Sequence, residues 1–271
     1  TDKGESLYQD RLNHASLMDA GRLSDAKMWR YQHSDTNNLR QRINRSSDIC
    51  SMIVTDGVFS MDGDYAKLPE LAKVAEEQDS WLMVDDAHGF GVLGESGAGL
   101  VEQAGLSSAE VPVLMATLGK AAGTAGAFVA GNEDLIEFLI QSARTYIFTT
   151  AMPPAIAAAG CKSLELIQKE GWRRVHLKQL ITQFKRGAAE LGLPMMPSDT
   201  AIQPILVGGS DKALAYSQQL LSQGILVTAI RPPTVPMGEA RLRITLSATH
   251  TELQIEQLLS ALEALNFRTE N

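Results

Sequence analysis

The sequence predicts an α/β protein: a large first domain over residues 1–165 with a mostly parallel sheet covered by helices, then a small α+β domain over 166–271 that includes the connecting helix. Three observations carry this. Short apolar, β-rich runs alternate with helical patterns through the first half, the habit of βα units. The run Trp81-Leu82-Met83-Val84 ends in Asp85-Asp86-Ala87-His88, which reads as a buried parallel strand delivering polar groups at its carboxyl end, where open α/β sheets place ligands. From residue 153 to about 191 the pattern is continuously helical, Ala-rich at first and then alternately charged, as a spine between two lobes requires.

Taken in order, residues 1–6 read as the tail of an earlier element, so the natural protein is expected to carry a substantial further N-terminal portion. Strands are expected at 50–55, 81–85, 111–117 and 126–130. Between them, 68–75 is an amphipathic helix with Pro69 in its first turn, and 133–141 is another. Beyond the spine come a strand at 202–207, a helix at 211–222, strands at 225–230 and 242–246, and a closing helix at 252–265.

With 44% apolar and 21% charged residues, the composition is that of a soluble globular protein. A net charge of −8 without a Lys/Arg block argues against nucleic acid as a partner. Cys50 and Cys161 stand far apart, without a CxxC or a neighbouring His pair, so reduced core residues are expected and no metal site. No apolar run approaches the roughly 20 residues of a membrane span, and no export signal opens the chain, so no membrane partner and a cytoplasmic location are expected.

The acid Asp85, the imidazole His88 and the amine Lys120 are the set that pyridoxal phosphate needs: an anion for its ring nitrogen, a partner for its phenolic oxygen, and a nucleophile for its aldehyde. Each has a plainer reading. Asp85 alone could cap a helix, and Lys120 alone could be a solvated surface charge. Small residues on both sides of Lys120, from Gly119 to Gly126, suggest a tight backbone beside a bulky ligand, with burial favouring the neutral amine. Thr117 and Ser60 have the chemistry of phosphate contacts, although the Asp62-Gly63 pair after Ser60 also suits a hairpin turn. His14 either sits in the first turn of a helix capped by Asn13 or stacks on a ring face. The stretch Gly89-Phe90-Gly91-Val92-Leu93-Gly94 has dinucleotide-motif spacing, but Gly97 and Gly99 break the long helix that such a motif opens.

Five segments in order, DRLNHASL (10–17), GVFSMDGD (57–64), VDDAHGFG (84–91), TLGK (117–120) and IRPPTVP (230–236), resemble the α-oxoamine synthases, fold-type I pyridoxal-phosphate enzymes. The resemblance implies that Lys120 holds the cofactor covalently and serves as acid/base, that Asp85 pairs with the ring nitrogen, that His88 contacts the phenolic oxygen and that His14 stacks on the ring. It implies cofactor contacts for Ser60 and Thr117, and substrate contacts for His14, Thr234 and Arg243, the last suited to a carboxylate. It further implies a homodimer, with residues 1–165 as the cofactor-binding domain. The 230–243 segment points to the family member that condenses L-alanine with a pimeloyl thioester. The cofactor residues themselves also suit a sister synthase using glycine or serine, or a cofactor-holding subunit or sensor without catalysis. Two departures stand out: Asp56 occupies a place where relatives often carry Glu, and the family's glycine-rich segment preceding His14 is not in these residues.

Overall fold

A computed structural model describes all residues except Asp2, Asn266 and 268–271. The chain divides into two compact units, Thr1–Phe59 with Tyr65–Gly171, and Ser60–Asp64 with Trp172–Asn271.

The first unit runs β1 (Glu5–Asp10), α1 (Ala15–Leu23), β2 (Lys27–Tyr31), α2 (Thr36–Arg45), β3 (Ile49–Asp56), α3 (Leu68–Glu77), β4 (Trp81–Asp85), α4 (Leu100–Gln103), β5 (Val113–Thr117), β6 (Ala127–Ala130), α5 (Glu133–Ser142), α6 (Arg144–Ile147) and α7 (Pro154–Lys169). Among the described residues six strands form one sheet in the order β2-β1-β3-β4-β5-β6. All pairings are parallel except β5 with β6. This is the mostly parallel, helix-covered sheet that the sequence predicts. Its centre is apolar because parallel strands are covered on both faces: Tyr8, Ile53, Leu82, Val84 and Ala116 are fully buried. Pro69 lies in the first turn of α3, whose Leu68, Leu71, Ala72, Val74 and Ala75 are buried.

Strands β1 and β2 and helices α1 and α2 lie in a region where the sequence pattern is silent. Gln9 and Asp10 are buried in β1 and blur its alternation. The expected 153–191 helix is two helices, because the chain breaks between Lys169 and Trp172, at Glu170 and Gly171. Cys161 is exposed on α7, not in the core as expected, whereas Cys50 is buried in β3. The outward face of α7 has no cover among the described residues, and Gly160 is its one buried residue.

The second unit contains α8 (Trp172–Glu190), β7 (Ile202–Gly208), α9 (Ser210–Ser222), β8 (Thr228–Ile230), β9 (Ala240–Thr245) and α10 (Glu252–Glu263), with an antiparallel sheet ordered β7-β9-β8. Thr251 and Gln254 form a reciprocal capping box on α10. The loop 60–64 belongs here: the Ser198 hydroxyl donates to Gly63 O at 2.8 Å, and Arg241 pairs with Asp62. Gly63 has φ +73° and a Cβ there would meet Ile202 O, so only glycine suits this approach. No helix among the described residues is long and apolar enough to cross a membrane.

Candidate active site

The carboxyl ends of β3, β4 and β5 gather the first unit's reactive groups. Asp56 and Asp85 end adjacent parallel strands as register partners. Gly57 N donates to Asp85 O at 2.8 Å and Asp86 N to Met115 O at 2.8 Å, so the exits of all three strands are tied together. Asp85 is 6% exposed, and its Oδ1 accepts from Ala87 N at 3.0 Å. Its other oxygen has no partner among the described residues, which leaves an available acceptor at the strand end.

After β5 the chain makes a tight turn. Leu118 N donates to Gly126 O, Thr124 N to Leu118 O and Gly123 N to Lys120 O, each at 2.9 Å. Ser163 of α7 clasps the turn from outside, donating to Ala122 O at 2.7 Å. Lys120 is therefore presented by a hydrogen-bonded loop. It is exposed rather than buried as expected, because Gly119, Ala121, Gly123 and Ala125 carry too little side chain to cover it.

The glycine-rich stretch after β4 meets this turn. Gly91 has φ +79°, and a Cβ there would come within 2.9 Å of the Ala121 Cβ. Phe90 and Phe128 stack edge to face at 5.2 Å. The glycines thus serve close approach beside Lys120, and the long helix of a dinucleotide site is absent among the described residues, where only the short α4 follows. His88 is half-buried in this turn.

Thr117 lies at the base of the turn, where its hydroxyl donates to Gly126 O at 3.0 Å and accepts from Gly119 N at 3.2 Å. In this arrangement its proton shapes the loop. His14 is exposed and is itself the N-cap of α1, its Nδ1 accepting from Ser16 N at 3.3 Å. The expected cap, Asn13, is instead buried: its amide donates to Val54 O at 2.9 Å and accepts from Asp56 N at 3.0 Å, copying the ladder of a neighbouring strand. Asp56 then accepts from His14 N with both oxygens at 3.2 Å. Asn13 was missed as a site builder, and Asp56 was singled out only as a departure from relatives that often carry Glu there. The signal for Asp56 was present, since it ends an apolar run as Asp85 does.

Burial pushes the Asp56 carboxyl up to about 7; the His14 N–H opposes this, the Asp85 charge adds to it, and the Lys120 charge opposes it. Lys120 thus lies within electrostatic reach of the paired strand ends. Burial, reinforced by Asp85, likewise pushes Asp86 up to about 7.

In the second unit, half-buried Arg243 on β9 donates through Nε to Ser60 O at 2.6 Å, and burial pushes its guanidinium below the usual value. Its two terminal nitrogens have no partner among the described residues, a free fork of the kind that takes a carboxylate. Two positions along, Arg241 is 2% exposed and spent on Asp62 and Glu239. Thr234 is exposed, with its N–H donating to Arg231 O at 3.1 Å.

The chain matches known proteins over nearly its whole length. The family model described as aminotransferase class I and II matches residues 1–262. The 8-amino-7-oxononanoate synthase of Cellvibrio japonicus is 59% identical over 265 residues, which cover 97% of this chain and 67% of that one. The chain thus spans about two thirds of the length of such relatives. A solved 8-amino-7-oxononanoate synthase from Francisella tularensis aligns with a TM-score of 0.84 at 35% identity, covering 97% of this chain and 75% of the other. An SPT structure described as carrying PLP aligns with a TM-score of 0.93 at 30% identity, covering 98% and 67%.

Proposed function

The chain belongs to the class I and II aminotransferase family and, within it, to the 8-amino-7-oxononanoate synthases, and on that premise we propose that it condenses L-alanine with a pimeloyl thioester, releasing carbon dioxide, in biotin biosynthesis. Pyridoxal 5'-phosphate is the family's cofactor. The residues present fit it: a buried carboxylate with an available oxygen and an imidazole follow one another at the exit of β4, and an amine follows β5, its parallel neighbour, beside a loop of small residues. That placement on adjacent strand exits is the observation that carries the reading.

When bound, pyridoxal phosphate supplies an electron sink for the carbanion formed at the amino acid's α-carbon. Asp85 would pair with the ring nitrogen. His88 would donate to the phenolic oxygen. Lys120 would hold the cofactor and move the proton at the α-carbon of alanine. His14, held at its backbone by Asp56, would stack on the ring. Thr117 and Ser60 would serve the phosphate. Arg243 offers its fork to a substrate carboxylate, with Thr234 as a further substrate contact.

We read residues 1–165 as the cofactor domain and 166–271 as the small domain of a cytoplasmic homodimer. The exposed apolar side chains of Phe138, Tyr146 and Phe148 supply a surface for such pairing. The SPT likeness keeps glycine- or serine-using synthases as the comparison to exclude.

The test is borohydride reduction after adding pyridoxal phosphate, with the modified peptide located by mass spectrometry. Label on Lys120, followed by turnover with alanine and a pimeloyl thioester but not with serine or glycine, is the expected result. A folded full-length protein that labels elsewhere or not at all overturns the reading.

A further inference from the structure

The second carboxylate of the VDDAH segment, Asp86, has no part in the scheme above, yet it is the more completely enclosed of the pair at 0% exposure. Its main chain already fastens the turn: N donates to Met115 O of β5 at 2.8 Å, and its carbonyl accepts from Gly89 N at 3.1 Å and Phe90 N at 2.9 Å. The side chain then reaches across the loop, where Oδ2 accepts from Leu100 N at 2.6 Å. Oδ1 is buried and has no hydrogen-bond partner among the described residues. Three glycines make the room. A Cβ would fall 2.8 Å from Oδ1 at Gly57, 2.0 Å from Oδ1 at Gly89 and 1.9 Å from Oδ2 at Gly99. Such distances allow no side chain larger than hydrogen at any of the three, so the glycines at the exit of β3, in the His88 turn and before α4 close on one carboxyl.

We propose that Asp86 is a positioning residue for the cofactor site, acting by shape: its carboxyl fills the three-glycine socket and ties residue 100 to the strand end, which fixes the backbone that presents Asp85 and His88. The proposal rests on the reading of that turn as part of the pyridoxal-phosphate site. Shape rather than charge is the operative property, since Oδ1 has no hydrogen-bond partner among the described residues, and an acid pushed towards neutrality by burial fits a role that needs no charge.

Two conservative variants separate the possibilities in the full-length protein. Asp86→Asn keeps the shape and the acceptor for Leu100 N, and Asp86→Glu keeps the ionisable carboxyl but adds a methylene that the socket cannot hold. The readouts are the dissociation constant for pyridoxal phosphate, from absorbance titration, and the melting temperature of the cofactor-free protein. The expected result is binding within about threefold of wild type for Asp86→Asn and at least tenfold weaker for Asp86→Glu. Rescue by Glu but not Asn makes the charge essential and overturns the proposal. So does a fall in melting temperature with cofactor binding unchanged in both variants, since that is the mark of a purely structural carboxyl. Borohydride labelling of Lys120 in the wild-type sample tells a failure of this proposal apart from a failure of the functional reading.

Discussion

The centre and the outer edge of the first unit's sheet treat similar sequence patterns in opposite ways. Helices α3 and α5 are both ten residues long and amphipathic, but α3 buries five residues and α5 none. Strand β4 buries Leu82, Val84 and Asp85, whereas β6 has no residue in the buried class and Val129 is exposed. On α5 and just beyond α6, Phe138 is 64% and Phe148 72% exposed. At the centre, polar groups such as Asn13 and Asp56 lie inside, hydrogen-bonded to neighbouring segments; at the edge, apolar groups lie outside. An apolar stripe therefore specifies that an element wants cover, and says nothing of what provides it.

The sharpest test of the comparison lies at the junction of the two regions, where Lys120 stands between β5 and β6. Lys120→Ala should lower turnover by at least about 10²–10⁴-fold, the usual range for losing a positioned acid/base, while circular dichroism stays that of wild type. Appreciable catalysis by this variant would separate the turn from the chemistry.

Next in size is a paired substitution. Leu82→Ala at the centre should cost about 2–5 kcal/mol in urea unfolding, because a fully buried side chain leaves a cavity. Phe138→Ala at the edge should stay within about 0.5 kcal/mol. Equal costs would mean that the edge is covered in solution.

The buried carboxyls give the centre a pH signature. Asp56 and Asp86 rise from an ordinary 3.8 to about 7, so the folded state binds more protons than the unfolded state between those values. Their contribution to stability is fully present below about pH 4 and is lost as the pH rises through about 7, with a slope of at most about 1.4 kcal/mol per pH unit for each group. Unfolding at pH 5 and pH 7 should show wild type losing more stability over this interval than Asp86→Asn, and parallel profiles would mean that Asp86 is charged throughout. Smallest in effect on folding is Phe148→Glu, which should leave the unfolding midpoint nearly unchanged yet reduce association in sedimentation. Unaltered association would place the contact between copies elsewhere.

Much of the candidate site was legible because its chemistry is local. Asp85, His88 and Lys120 announce themselves as polar groups at the ends of apolar runs, and the glycines after β4 as a turn that cannot be a dinucleotide loop. Asn13 misled for the same reason: beside His14 it reads as a helix cap, and only contact with β3, more than forty residues away in sequence, turns it into a strand mimic. Asp86 was read only as the neighbour of Asp85. Nothing local shows that glycines 57, 89 and 99 converge on it.

By itself the sequence determined the alternation of strands and helices, the sheet's apolar centre and the identity of the reactive groups, since periodicity and residue chemistry act over a few positions. The tertiary structure alone decided which carboxyls are buried enough to titrate near neutrality, that Lys120 is presented on an exposed turn, and which helices are covered. Those outcomes depend on which distant segments pack together, and burial, dielectric and cover are properties of that packing.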